Sequence, residues 1–383
     1  MKVAIAHDWF SDVGGAEKVA KELHEIFPEA PIYTIFHDEN FTRKFLPGAE
    51  IRPSHLQKYI HFVGKNKWLI PFMPVSVELF DLSGFDLVIS SSAYFIKGLI
   101  LKPDTTHICY CHSPTRQWWD WQSEYRKEVK KAPRWAVSIL QHAMRIWDRS
   151  ASTRVDYFIA NSLNVKKRIL KYYGKKSVVI YPPVEMDDGS TKFNAENEFS
   201  GSPLSYGPNH YGELRTNNYF LIVSRLFKHK NADVAVRAFN KLGWPLVIVG
   251  NGPEMMRLKK LAKNNIRLVG LASEEELRGY YQNCMAFVMP QEEDFGIAPI
   301  EAMGYGKPVL ALKRGGALEY IEEGINGEFF VDPHPDVLAY GALRLKQNIY
   351  KYDKEEIKRT AKRFSKERFK YEVLNLIKNV SQI

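Results

Sequence analysis

The chain alternates short runs of β-branched and apolar residues with longer stretches of helical period, and it does so twice. In the first half KVAIAH, DLVISSS, THICYC, YFIANS and SVVIYPP are separated by segments such as 15–27 and 164–173 that carry a helical pattern. Strands that alternate with helices pair in parallel, because each helix returns the chain to the edge it left, and the helices then cover both faces of the sheet. After Pro183 the pattern stops: MDDGSTKFNAENEFSGSPLSYGPNHYGELRTNN is polar, rich in turn formers and aperiodic. From Tyr219 it restarts with YFLIVS, PLVIVG, IRLVG, AFVMP and KPVLAL. The expected fold class is therefore α/β, with two doubly wound Rossmann-like domains that, if opposed, turn the carboxyl ends of their strands towards a central crevice. The expected boundaries are 1–184 for the first domain, 185–217 for a polar linker and 218–364 for the second. Residues 354–378 are rich in helix formers, and 365–383 would form a closing helix that returns to the first domain.

A length of 383 residues agrees with two domains of about 100–200 residues each. The 45% hydrophobic content is that of a folded protein and excludes a disordered one. No apolar run approaches the roughly 18 residues of a membrane span, and MKVAIAHDWF lacks the layout of a secretion signal, so a cytoplasmic location is expected. Three cysteines cannot all pair, and Cys109 and Cys111 would share one face of a strand, which implies free thiols. The net charge of +10 would attract nucleic acid, anionic membrane or phosphate-bearing ligands alike. The cations are dispersed over KNK, KKAPR, KKRILKYYGKK and FKHK, and neither an RNA-binding signature nor a zinc spacing is present, so nucleic acid is not an expected partner. The stretch 55–74, HLQKYIHFVGKNKWLIPFMP, mixes basic and aromatic residues as a site for anionic headgroups would; ordinary core plus a basic loop explains it equally well.

The most informative segment is 287–331, FVMPQEEDFGIAPIEAMGYGKPVLALKRGGALEYIEEGINGEFF. A strand ends at Pro290, a turn carries Glu292, Glu293 and Asp294, and an apolar helix is expected over 297–305, closed by Gly306. With Phe295, Gly296 and Ile297 as its first turn, free N–H groups and the positive end of the helix dipole would receive a diphosphate. Gly296 leaves the backbone open to a ligand, and Glu293 and Glu301 could accept from sugar hydroxyls. Glutamates near a helix N-terminus also complement the dipole without any ligand. Within so apolar a helix, however, Glu301 needs a partner if buried.

This segment resembles the Glu, seven residues, Glu motif of the retaining family-4 glycosyltransferases of the GT-B fold, together with their EAM, GKPV and Gly-rich continuation. The resemblance implies that Glu293 holds hydroxyls of the donor sugar, Glu301 those of the ribose, and the Phe295, Gly296 and Ile297 backbone the sugar and diphosphate. It covers nearly the whole chain apart from the polar stretch after Pro183.

Other segments fit the same reading. FLIVSRLFKHKNADVAVRAF places Arg225 at a strand end and Lys230 five residues later, before a helix that Asn231 or Asp233 would start. Two cations there suit a diphosphate and would offset the charge on a leaving nucleotide without a metal, and the family's diphosphate clamp has this spacing. Many relatives have Gly where this chain has Asn231. Gly14 and Gly15 stand between the first strand and a helix; a plain tight turn explains them equally, while the family has here a loop near the donor phosphate and sugar. The strand THICYC leads to His112, which in the family lies over the donor sugar and contacts a hydroxyl or lends its carbonyl to developing positive charge. Arg116, Trp118, Trp119 and Asp120 would line an acceptor pocket, with core packing an equal reading for each tryptophan.

The resemblance is strongest to transferases of polysaccharide and O-antigen (lipopolysaccharide) assembly. It implies a peripheral enzyme with no cofactor that moves a hexose, foremost mannose from GDP-mannose with a UDP-sugar as the other option, to a glycan or lipid-linked acceptor. Two rivals share part of these features: a nucleotide-sugar epimerase on the same fold, which needs further carboxylates for acid and base work, and a basic nucleic-acid-binding module.

Overall fold

The computed structural model describes residues 1–59, 67–129, 133–186 and 218–380. Most of the expected linker 185–217 and residues 60–66 of the basic aromatic stretch lie outside the described residues. The chain divides into two compact units, Met1–Pro183 with Lys366–Ile383, and Val184–Ser365.

The first unit holds a sheet of β1 (Val3–Phe10), β2 (Ile32–His37), β3 (Ile51–Pro53), β4 (Leu87–Ser92), β5 (Thr106–Cys111), β6 (Tyr157–Ala160) and β7 (Ser177–Val179). Its order is β3-β2-β1-β4-β5-β6-β7, with every neighbouring pair parallel. The winding direction reverses between β1 and β4, and ligands of such sheets bind beyond the carboxyl ends of the strands at that reversal. All six residues of β4, LVISSS, are buried, which a strand covered on both faces requires. One face packs Ile5, Leu23, Ile89 and Tyr110 together, and the other packs Ala4, Ile35, Val88 and Trp118. The helix Leu163–Tyr173 shows how local sequence sets an element: the Ser162 hydroxyl accepts from the Val165 N–H at its start, and Gly174 at φ 69° ends it.

The second unit is a sheet of β8 (Phe220–Val223), β9 (Leu246–Val249), β10 (Ile266–Gly270), β11 (Ala286–Met289), β12 (Val309–Leu312) and β13 (Gly327–Phe330). Its order is β10-β9-β8-β11-β12-β13, again parallel throughout, with the reversal between β8 and β11. Phe220, Phe239, Ile248, Val288 and Leu338 belong to its core, each side chain worth about 1.5–3 kcal/mol on burial. The helix Glu274–Asn283 opens on a reciprocal cap between Ser273 and Glu276.

The end of the chain divides between the units. Helix Lys354–Ala361 belongs to the second, whereas Lys366–Val380 belongs to the first. There Phe369, Val373 and Ile377, spaced to share one helix face, join the core of Ile5 and Tyr110.

Candidate active site

In the second unit the reversal between β8 and β11 is where the charged residues gather. Arg225 follows the end of β8 and is exposed, and its guanidinium meets no partner among the described residues. The chain then makes a short 3₁₀ turn, Lys228–Lys230, and passes through Asn231 at φ 51° into the helix Ala232–Leu242. Asn231 is the only non-glycine at positive φ among the described residues. Asparagine tolerates this conformation better than most side chains, so it can stand where glycine would serve, and its side-chain amide also donates to the Pro290 carbonyl at 3.3 Å.

That turn brings Lys230 to the loop after β11. Its Nζ lies 2.5 Å from Glu293 Oε1, and Gln291 Nε2 donates to the same oxygen at 2.8 Å. Burial acts to raise the Glu293 carboxyl, but Lys230, Gln291 and His229 together outweigh it and hold the group below the usual range. The Lys230 and Glu293 side chains remain 15% and 23% exposed, so both stay within reach of a ligand.

The helix beyond spans Ile297–Gly304, with Gly296 as its N-cap at φ 93°. This corrects the expected first turn: only Ile297 of the three named residues lies inside the helix, and Phe295 precedes it with its ring buried against Tyr320 and Phe364. The third helical position is Pro299, which has no N–H to leave unpaired. The N–H groups of Gly296, Ile297 and Ala298 donate to no described acceptor and remain available to an anion. A side chain at Gly296 would combine positive φ with a Cβ 2.8 Å from Tyr320 Oη. The loop is held from behind by Gly316, whose N–H donates to the Glu293 carbonyl at 2.9 Å. A Cβ on Gly316 would stand 2.5 Å from the Phe295 Cα.

Glu301 is 8% exposed, and Tyr281 Oη donates to its Oε2 at 2.7 Å. Burial first, and then this carboxylate, push the Tyr281 hydroxyl far up, so it remains a donor. Neither Tyr281 nor Gln291 was identifiable from the sequence, where nothing marks which tyrosine of another helix meets Glu301.

The first unit gathers polar groups at its own reversal, between β1 and β4. Gly14 caps the helix Gly15–Ile26 with extended backbone, and Glu17 in its first turn is buried. His7 Nδ1 lies 3.1 Å from Ser91 Oγ, and the same hydroxyl lies 2.8 Å from His112 Nε2. His112 follows β5; burial and the nearby His7 push its ring down to about 3, so it is neutral at ordinary pH. Its carbonyl accepts from Asn161 Nδ2 at 3.0 Å. Asp8 accepts from four successive N–H groups, Ala93 to Ile96, at 2.7–2.9 Å and fixes the loop after β4. His7, Asp8, Glu17 and Ser91 were missed in the sequence. The available signal was a His-Asp pair inside an otherwise apolar strand, which a strand buried on both faces admits only with partners.

Within the segment 116–120, one residue departs from the acceptor reading. Trp118 is 3% exposed in the core, so its ring cannot stack on a sugar. Trp119 donates to Asp148 at 2.7 Å and stacks on Tyr172. Asp120 pairs with Arg168 at 2.8 Å, while Arg116 lies over Trp121 and faces Asp120 at 3.7 Å. These contacts make the segment a brace of the first unit.

Residues 13–188 match Glycosyltransferase Family 4, and residues 209–364 match Glycosyl transferases group 1. An uncharacterized glycosyltransferase of Methanocaldococcus jannaschii is 23% identical over 96% of this chain and 93% of its own. An alpha-1,3/1,6-mannosyltransferase of Candida glabrata is 24% identical over 84% and 78%. Among solved structures, a sucrose-phosphate synthase from Thermosynechococcus elongatus superposes with a TM-score of 0.76 at 16% identity over 100% of both chains. Anabaena HepE in complex with UDP-glucose gives 0.71 at 14% identity over 99% of this chain and 100% of its own. The likeness to these two structures is one of fold, the two-domain GT-B architecture.

Proposed function

Because the chain belongs to the family-4 and group-1 glycosyltransferases and carries a domain of each, we propose that it moves a hexose from a nucleotide sugar to a glycan or lipid-linked acceptor with retention at the anomeric carbon. The observation that carries this reading is the convergence of Lys230, Glu293 and the open N–H groups of Gly296, Ile297 and Ala298 at the β8/β11 reversal, with Glu301 on the same helix. The diphosphate would meet Lys230, Arg225 and the helix N-terminus. Glu293 would accept from sugar hydroxyls, and Glu301, oriented by Tyr281, from the ribose. As the bond from the anomeric carbon to the phosphate oxygen breaks, the two cations would offset the charge left on the nucleotide without a metal. The acceptor hydroxyl would attack from the same face, and the departing phosphate oxygen would take its proton. No protein nucleophile is assigned.

Mannose from GDP-mannose is the favoured donor, supported by the fungal mannosyltransferase among the relatives; UDP-glucose in the Anabaena protein keeps UDP-sugars as the other option. A role in cell-surface polysaccharide assembly, with a lipid-linked acceptor at an anionic membrane, draws support from helix Arg134–Thr153. Trp135, Ile139 and Ile146 are exposed along it, Arg134 and Arg149 are exposed beside them, and its one acidic residue, Asp148, is buried. Such a face has the apolar and cationic character that a bilayer interface attracts. Among the described residues no helix is long and apolar enough to cross a membrane.

The test is incubation of the purified protein with labelled GDP-, UDP- and ADP-sugars and membrane lipid extracts, without added metal. Transfer from one donor is expected. No transfer across the panel would refute the reading, and epimerised donor without acceptor would replace it with the epimerase.

A further inference from the structure

The hydrogen bonds around Ser91 decide which nitrogen of His112 carries its proton. His7 Nδ1 lies against two oxygens of Ser91, the carbonyl at 3.2 Å and Oγ at 3.1 Å. A carbonyl only accepts, so the contact to it, read as a hydrogen bond, places the proton on His7 Nδ1. Ser91 Oγ then receives that proton's bond and must turn its own hydrogen elsewhere. His112 Nε2, 2.8 Å away, is the acceptor in place. With Ser91 Oγ donating to it, His112 Nε2 is the bare nitrogen, and a neutral ring keeps its proton on Nδ1, which has no partner among the described residues. Glu17 Oε1 stands 3.9 Å from His7 Nε2, beyond hydrogen-bonding distance, and the assignment holds whether or not that nitrogen is also protonated.

We propose that Ser91 and His7 are positioning residues that fix His112 as the Nδ1–H tautomer and so present an N–H donor to a hydroxyl of the sugar substrate. The functional half of this proposal rests on the transferase reading; the tautomer rests on geometry alone. His7 comes from β1, Ser91 from β4 and His112 from the end of β5, so three neighbouring strands at the reversal of the sheet supply the chain of bonds. All three residues are at least partly buried, and Ser91 is fully so, which keeps water from competing for the shared hydroxyl.

The decisive experiment is long-range proton–nitrogen correlation NMR on the full-length protein labelled with ¹⁵N-histidine, with His112→Gln to assign the His112 signals. In the wild type Nδ1 is expected to be protonated and Nε2 bare. Finding His112 as the Nε2–H tautomer overturns the proposal, whether or not the protein transfers sugar. Ser91→Ala should release the tautomer towards Nε2–H and lower kcat about tenfold, as expected for the loss of one hydrogen bond, and Ser91→Thr should restore both. An unchanged tautomer in Ser91→Ala also overturns the proposal. If Ser91→Ala does not fold, the wild-type spectrum alone decides. A correct tautomer in a protein without transferase activity would refute the proposed function and leave the positioning of His112 intact.

Discussion

Lys230 and Glu293 illustrate how one contact can serve two states. In the unliganded protein each neutralises the other at 2.5 Å. A donor diphosphate would compete for the lysine, and the carboxylate would then face sugar hydroxyls. The sign of the pH effect follows from the balance at Glu293, where burial opposes ionisation and Lys230 more than reverses it. A carboxyl held below its ordinary value stabilises the fold above about pH 4.3, and that contribution is lost as pH falls through the native value. Lys230→Ala leaves burial unopposed by its strongest counter-charge, so the Glu293 carboxyl rises, and stability should instead decline as pH increases through the new value. The variant is expected to lose about 1–3 kcal/mol near neutral pH, the usual cost of an orphaned buried partner, and about a hundredfold in kcat. Its pH–rate profile should show the acid limb displaced upward. Chemical denaturation across pH and a kcat profile check both parts; wild-type values in each would remove Lys230 and Glu293 from the site.

At the scale of elements, the loop 293–296 depends on a neighbour that brings no chemistry. Gly316 packs its backbone against Phe295, where a methyl group would meet the Cα and carbonyl oxygen at 2.5 Å. Backbone atoms cannot rotate aside as a side-chain tip can, so Gly316→Ala should push the loop off its seat. The expected cost is about 1–3 kcal/mol, with weakened nucleotide binding by calorimetry. Gly84→Ala, with nothing within 4 Å of the added carbon, should leave both unchanged. Equal behaviour of the two variants would mean that the loop is not held from Gly316. The same region shows what the sequence could disclose. Glu293, Gly296 and Glu301 belong to one helix start, so local spacing placed them together, and the strands around them announced themselves as apolar runs. β3 and β13 did not: β3 is only three residues, IRP, and GEFF of β13 follows a glycine-rich turn that masks its period. Contacts such as Tyr281 with Glu301, or Asp8 with the amides of 93–96, join segments 20 and 85–88 residues apart. No periodicity encodes them, because they arise only when the strands of a parallel sheet and the helices that cover it are packed together.

For the whole molecule, the last helix ties the end of the chain to the unit formed by its beginning. Phe369, Val373 and Ile377 are 0%, 1% and 5% exposed in the first unit's core, and Lys366 pairs with Glu22 at 2.6 Å. Three such side chains at about 2 kcal/mol each amount to roughly half or more of a domain's net stability of about 5–15 kcal/mol. The second unit, Val184–Ser365, contains its own core, to which none of these three side chains belongs. Ending the chain at Ser365 should therefore affect the two units unequally. The first unit should unfold or melt far lower, because Tyr110 and Ile5 lose their cover. The second should keep its nucleotide affinity, since Lys230, Glu293, Tyr281 and Glu301 all lie within it. Calorimetric melting of the full and shortened chains, with and without GDP and UDP, separates these effects. The shortened chain should show one transition that the nucleotide raises, accompanied by loss of sugar transfer. A single cooperative loss of both units would mean that the second cannot stand without the first, and that the site at β8 and β11 depends on more than the sheet that carries it.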